Sequence, residues 1–402
     1  MELWKLLIAV LGGFQFGYAV AIMASAILFL TPAYNLGLTQ QGFVVSSVLM
    51  GALAGSLAGG DIADFFGRKK GQQGVALLFF IGALMVSLAT DVTVIILGRI
   101  IQGVALGIIS VIGPMYIAEM APSKERGKLV AYYQLALTLG ILVAYGTGYM
   151  LSGNGSWRMM FALSLIPAVV HFVGFIFLPD SKKPVKASTK VSTQESKFSW
   201  KALLDPVYQK PLLIALFISS FQQLTGINAV LYFAPSIFKL CGFHTASQAI
   251  FSAVLIGAVN FFSTIISLFL IDTKGRKFLL QVGLSGMIVA LLFLSFAFFP
   301  RTPASLLATF SLMLYIACFA ISLGPIPQLM ISELFPQNIR AKAYSLCMLV
   351  SWICNFLVVF TFMDLSHLLS QSGIFFLYGL FSLATLLFVW VKTPETKGIV
   401  LE

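Results

Sequence analysis

The chain has 402 residues, of which 59% are hydrophobic and 10% are charged, and its net charge is +11. Soluble domains carry about 25% charged residues, so this composition excludes an ordinary soluble protein and indicates one that lies in a lipid bilayer. The apolar runs are long and continuous, whereas a membrane β-barrel shows short alternating segments. The predicted fold class is therefore an all-α membrane protein.

Twelve apolar runs follow one another along the chain, separated by charged residues or by Gly and Pro. They cover residues 4–30, 41–62, 73–90, 94–119, 127–151, 158–178, 210–238, 247–271, 278–299, 303–333, 341–363 and 372–391. Each is long enough to cross the hydrocarbon core as a helix. Runs longer than about 25 residues are expected to tilt or break.

The long polar stretch 180–209, rich in Lys, Ser and Thr, separates the sixth run from the seventh. It is interpreted as a cytoplasmic linker, and whether it forms a short interfacial helix around 197–204 is left open. The predicted domains are a six-helix half at 1–179, this linker, a second six-helix half at 210–391 and a short cytoplasmic tail at 392–402.

Lysine and arginine are unevenly distributed between the two sides of such a bundle. With the N-terminus inside, 21 of the 25 Lys and Arg residues fall in cytoplasmic segments. Positively charged loops stay on the cytoplasmic side, so both termini are predicted to be cytoplasmic, in a plasma membrane or a bacterial inner membrane. The positive charge therefore indicates the bilayer as a partner, not nucleic acid, and a monomer is sufficient.

Each half carries an Asp/Arg pair after its second span and a Glu/Arg pair at the end of its fourth span. The residues are Asp64, Arg68, Glu119 and Arg126 in the first half and Asp272, Arg276, Glu333 and Arg340 in the second. The offsets between halves are 208 for the Asp pair and 214 for the Glu pair, which indicates a duplicated six-helix unit. Carboxylates at the end of a span need cationic partners, so salt bridges that form and part during gating are predicted here.

Uncharged amides and aromatic rings supply most of the polar chemistry in the middle of the spans. The candidates are Gln134, Gln222, Gln223, Asn228, Asn260, Gln328 and Asn355, with Phe16, Tyr232 and Trp352. Amides donate and accept hydrogen bonds, as sugar hydroxyls do, although a single amide often only holds helices together. As a group they predict a site for a sugar or polyol. The four cysteines lack metal-ligand spacing, and neither a metal nor a cofactor is expected.

With these motifs the chain resembles the sugar porter family of the major facilitator superfamily, which includes facilitative glucose transporters and bacterial proton–sugar symporters. The resemblance is carried by GGFQFGY (12–18), DIADFFGRKK (61–70), GRIIQGVALG (98–107), PMYIAEMAPSKERGKLV (114–130), QQLTGINAVLYFAP (222–235), DTKGRK (272–277), GPIPQLMISELFP (324–336) and PETKG (394–398). It implies alternating access by rocking of two halves. It also implies a central sugar site lined by Gln134, Gln222, Gln223, Asn228, Asn260, Trp352 and Asn355.

The chain departs from the family pattern at the site of proton coupling. Proton-coupled members have Asp after the Tyr of the first motif, where this chain has Ala19. Arg99 resembles the usual partner of that Asp and has no evident carboxylate here. Arginine does not deprotonate in proteins, and His171 is interpreted as a core residue. Uncoupled facilitated diffusion of a hexose, pentose or polyol is therefore expected; Gln328, where an aromatic residue is common, leaves the sugar open.

Other functions remain as alternatives. The chain is a proton-coupled symporter if another acid serves, or if the substitution at position 19 has locked one, and protons are then a partner. A non-transporting sugar sensor usually has a long cytoplasmic tail, whereas this chain ends at Glu402 shortly after the last span. A drug or metabolite exporter would lack the Gln-Gln…Asn array. An enzyme is not expected, because there is no Ser/His/acid set and no buried carboxylate pair.

Overall fold

The structure is a computed structural model, and it describes residues 2–122, 125–181, 203, 205–299 and 304–395, apart from a few side chains within the helices. The first eight helices are α1 Leu3–Ala9, α2 Leu11–Tyr34, α3 Leu38–Phe66, α4 Arg68–Ser87, α5 Val92–Met120, α6 Arg126–Leu151, α7 Trp157–Ala162 and α8 Leu165–Phe177. The next eight are α9 Pro206–Leu224, α10 Ile227–Leu240, α11 Ala246–Lys274, α12 Arg276–Ala297, α13 Ser305–Ile321, α14 Ile326–Leu334, α15 Gln337–Leu368 and α16 Ser370–Lys392.

Twelve segments of the described chain are helical, long enough and apolar enough to cross a membrane. Each coincides with one predicted run, so the all-α class and the number of spans are confirmed. Several helices are longer than their runs: α3 continues past 41–62 to Phe66, and α15 past 341–363 to Leu368. Apolar residues mark only the hydrocarbon zone, whereas helical hydrogen bonds continue through the polar interface.

Four spans consist of two helices each. The first breaks at Val10, the sixth at 163–164, the seventh at 225–226 and the tenth at 322–325. The first, seventh and tenth are among the runs expected to tilt or break because of their length. The break in the sixth span was not predicted, since the run 158–178 is short enough to cross the membrane as one helix.

The helices pack as two groups. Helices α2–α8 mostly contact one another, as do α9–α16, and the two groups meet chiefly through α3 on α15, α6 on α11 and α2 on α10. The boundary within 180–209 stays a prediction, because residues 182–202 and 204 lie outside the described part, as does most of the expected interfacial helix at 197–204. We call the side of the bundle at which α1 begins and α16 ends the terminal side, and the opposite one the far side.

Candidate functional site

Two broken spans meet in the second half of the bundle. Gln222, in the last turn of α9, donates from Nε2 to the backbone oxygen of Leu323, 2.6 Å away, in the break between α13 and α14. Tyr315 donates to the backbone oxygen of Thr225 in the break between α9 and α10, at 2.8 Å. Unwound backbone is tolerated within a membrane where neighbouring groups satisfy its polar atoms, and these two side chains do so.

Gly226 makes the break between α9 and α10 possible. Its φ of +87° lies in the left-handed region, which other residues rarely adopt. A β-carbon at this position would also meet the ring of Tyr378. Gln222 and Tyr232, which lie in the single predicted run 210–238, therefore belong to two helices, α9 and α10.

Three of the predicted amides form one hydrogen-bonded chain. Gln223 donates from Nε2 to Ser351 Oγ at 2.9 Å and to Gln222 Oε1 at 3.3 Å. Asn228, beyond the break, donates to Gln223 Oε1 at 2.7 Å. The chain thus joins α9, α10 and α15. Ser351 was not among the predicted site residues, although its position next to Trp352 was an available signal.

Trp352 and Asn355 on α15 are nearly buried, with 5% and 7% exposure. The indole Nε1 of Trp352 and Oδ1 of Asn355 have no hydrogen-bond partner among the described residues. The Trp352 ring lies 5.9 Å from the ring of Phe16 on α2, centroid to centroid, and so bridges the two groups of helices. A buried donor and acceptor are costly when unpaired, and a ligand that offers both kinds of group would satisfy them.

The remaining predicted binding residues are not joined to this amide chain. Gln134 on α6 is half-buried, Asn260 on α11 is buried and Gln328 on α14 is exposed. Within the described part, their side chains make no hydrogen bond to the amide chain. Tyr232 is fully buried on α10, and its hydroxyl has no partner among the described residues.

At the predicted site of proton coupling, the described part of the chain has a buried arginine and no acidic partner for it. Arg99 on α5 is fully buried, and its Nη1 donates to the backbone oxygen of Ala19 at 2.8 Å and to Gln102 Oε1 at 3.2 Å. In the described part of the chain, no ion pair includes Arg99. Both oxygens that it contacts are neutral.

His171 on α8 is a buried core residue, as interpreted from the sequence. Its Nδ1 lies 2.9 Å from Gln15 Oε1 on α2, and its Nε2 lies 3.1 Å from Gln72 Oε1 on α4. Neither glutamine was a predicted partner of His171, because nothing in a linear pattern places them beside it. The three side chains join helices within the first half.

Charged residues cluster on the terminal side, and two of their contacts occur in both halves. Arg68 lies 2.8 Å from Asp64 and 3.1 Å from Glu119, and Arg276 lies 3.0 Å from Glu333. Each arginine also donates to the backbone oxygen of the residue five positions earlier. The repeat in the sequence is thus a repeat in contacts. These pairs lie within each half and do not cross between halves.

The other predicted gating residues differ in their surroundings. Arg340 donates to the backbone oxygen of Phe335 at 3.0 Å, and the side chains of Arg126 and Asp272 lie outside the described part. Glu395 was not a predicted site residue, but its carboxylate accepts from the backbone amides of Arg276 and Lys277 at 3.0 and 3.1 Å. A carboxylate is stabilised at this position because the first amides of a helix carry partial positive charge.

Comparisons with known proteins agree with this geometry. A family model described as "Sugar (and other) transporter" matches residues 5–183 and 182–402. A D-xylose transporter of Levilactobacillus brevis is 35% identical over 98% of this chain and 92% of its own length. A glucose transporter of Staphylococcus epidermidis is 33% identical over 98% of this chain and 95% of its own. The crystal structure of a D-xylose-proton symporter superposes with a TM-score of 0.87, at 32% identity, over 99% of both chains.

Proposed function

Because the chain belongs to the sugar porter family of the major facilitator superfamily, we propose that it carries a monosaccharide across the membrane by alternating access, without coupling to protons. Its relatives are transporters and not enzymes, so the general activity is sugar transport. The solute class and the absence of coupling are inferred from the side chains at the centre of the bundle.

Two polar atoms of α15 that have no hydrogen-bond partner among the described residues support a hexose, a pentose or a related polyol as the solute. The Trp352 indole offers a donor and Asn355 Oδ1 an acceptor, and sugar hydroxyls both donate and accept. Phe16 and Trp352 present aromatic rings to the apolar face of a sugar ring. Gln134, Asn260 and Gln328 complete the proposed lining as the halves move.

The surroundings of Arg99 carry the proposal of uncoupled transport. Proton symport needs a group that takes up and releases a proton as the site turns from one side to the other. Arg99 keeps its proton, and its contacts, the backbone of Ala19 and the amide of Gln102, do not titrate. Among the described residues, the hydrogen bonds of His171 are those to the side chains of Gln15 and Gln72.

Proton-coupled sugar symport is the second candidate. It is favoured by the name of the structural relative, which is a D-xylose-proton symporter. In this case another titratable residue would replace the missing acid at position 19, or the substitution would have locked the transporter. A sugar sensor is not favoured by any specific contact.

We also propose that the terminal side is cytoplasmic, because the Lys- and Arg-rich loops lie there. On that assignment the Arg68–Glu119 and Arg276–Glu333 pairs join helix ends at the cytoplasmic side within each half. They would rearrange as the halves rock, which makes them part of a two-state element.

Uptake by purified protein in liposomes tests both parts of the proposal. Labelled D-xylose or D-glucose should enter by counterflow against an internal pool of the same sugar. An inwardly directed proton gradient should not make this protein accumulate sugar in the liposomes. The D-xylose-proton symporter, reconstituted in parallel, should accumulate sugar under the same gradient. Accumulation by this protein would overturn the uncoupled mechanism. Absence of counterflow with pentoses, hexoses and inositols would overturn the solute class.

A further inference from the structure

Arg99 carries a buried charge that nothing in the described part of the chain neutralises. The side chain has 0% exposure, and a charge at this depth is costly unless it is paired. The acidic residue nearest in sequence, Asp91, lies about 12 Å away along the helix axis. Its carboxylate is exposed and accepts from the amides of Thr93 and Val94, so it is not the partner of Arg99.

The unused atoms of Arg99 form one edge of its guanidinium group. Nη1 makes both of the hydrogen bonds that the side chain has, whereas Nε and Nη2 have no partner among the described residues. Nε and Nη2 present two parallel N–H bonds, the fork with which arginine binds a carboxylate side-on. The edge suited to an anion is therefore the one left open.

A third donor without a partner lies on a neighbouring helix. Tyr232 on α10 is fully buried, and its hydroxyl has no partner in the described part of the chain. Helix α10 packs against α2, which carries Ala19. The hydroxyl of Tyr145 is not available, because it donates to the backbone oxygen of Leu231. The Phe161 ring lies 5.9 Å from Arg99 Cζ, and the backbone oxygen of Ala19 lies 2.8 Å from Nη1.

We propose that Arg99 and Tyr232, beside Ala19, bind one small monovalent anion, with chloride as the physiological ligand. One negative charge balances the guanidinium, and Nε, Nη2 and the phenol hydroxyl are the donors without a partner that are available to it. The anion must be small, because Arg99, Tyr232 and Ala19 are each at most 1% exposed. The inference goes beyond sugar transport and does not depend on which sugar is carried.

Thermal unfolding of the purified full chain, without sugar, tests the site. The protein is compared in sodium chloride, bromide, formate and gluconate at constant ionic strength. The unfolding midpoint should rise with chloride and with bromide until it saturates, because a ligand of the native state stabilises it, and gluconate should have no such effect. Equal midpoints in chloride and gluconate would overturn the proposal. A rise with formate alone would overturn the halide assignment.

Three variants identify the atoms involved. Ala19→Asp supplies an internal carboxylate and Arg99→Met removes the cation, so each should lose the chloride-dependent rise. Tyr232→Phe removes one donor to a charged ligand and should raise the half-saturating chloride concentration about tenfold or more; this variant alone decides the question if the other two do not fold. Arg158→Met is the control, since Arg158 is exposed and contacts the backbone of Ala89. A chloride effect that persists in Arg99→Met would overturn the site.

Discussion

The polar side chains at the centre of the bundle divide into two kinds. Gln222 and Gln223 donate hydrogen bonds to Leu323 and Ser351, respectively, and so hold helices together. The Trp352 indole and Asn355 Oδ1 have no partner among the described residues. The first two residues thus act as links between helices, whereas the second two are the ones that we propose as ligands for the solute.

Among substitutions of these central side chains, Trp352→Phe is the most informative. It removes the indole donor but keeps an aromatic ring against Phe16, so the helices should pack as before. Sugar binding should weaken about three- to tenfold, the effect of one net hydrogen bond. The measurement is the sugar concentration that half-saturates the thermal shift of the purified protein.

Trp390→Phe serves as the matched control, because Trp390 is 67% exposed near the end of α16 and should leave the half-saturating concentration unchanged. Equal affinities in wild type and Trp352→Phe would show that the indole N–H does not contact the sugar.

The seventh and tenth spans are discontinuous, so this bundle is not a set of twelve continuous helices. Discontinuous helices expose backbone groups at the middle of the membrane, where transporter folds place their solute. Here the two breaks face each other and are joined by Gln222. The backbone at 322–325 and the side chains that follow Gly226 are held in one arrangement by this contact.

Gly226→Ala should disrupt the break between α9 and α10. The left-handed φ alone costs about 1–3 kcal/mol for a residue with a β-carbon, and the contact with the Tyr378 ring adds to that. The unfolding midpoint and the yield of monodisperse protein should both fall.

Gly74→Ala on α4 is the control, because a β-carbon there meets nothing within 4 Å and alanine favours a helix. That variant should be as stable as wild type or more so. A Gly226→Ala protein of wild-type stability would mean that the break does not need the left-handed conformation.

Viewed as a whole, the molecule has its two groups of helices joined on the far side. Ser152 and Ser247 lie 2.6 Å apart between their hydroxyls, and Thr39 donates to Asp364 at 3.0 Å. Each of these contacts crosses from one group to the other. On the terminal side the ion pairs instead lie within each half. Rocking of the halves would have to separate the far-side contacts.

A disulfide across the far side tests whether this separation is needed. The pair Ser152→Cys and Ser247→Cys should form a cross-link on oxidation, since hydroxyls in contact place the side chains within disulfide reach. Uptake into liposomes should then stop, and reduction should restore it. Each single cysteine variant is the control for oxidation of the native cysteines. Full uptake by a fully cross-linked protein would contradict alternating access by rocking.

Much of the architecture followed from one-dimensional patterns. Lipid offers no hydrogen-bond partner to the backbone, so each long apolar run had to be a helix, and the twelve spans were confirmed. The recurrence of Asp64–Arg68 as Asp272–Arg276 predicted the two similar halves. Motifs across the chain predicted the sugar porter family, which the comparisons confirmed.

Only the tertiary structure decided which polar atoms are used and which are open. Gln223 and Ser351 are 128 residues apart, and Arg276 meets Glu395 across 119, so no local pattern pairs them. Arg99 illustrates both what the sequence determines and what the packing determines. The sequence alone determined that a permanent cation stands in a membrane span without its usual acid. Packing decided that Nη1 makes the contacts with the backbone oxygen of Ala19 and with Gln102, whereas Nε and Nη2 have no partner among the described residues. The physical reason is that the positions of the helices determine which edge of the planar guanidinium each neighbour can reach.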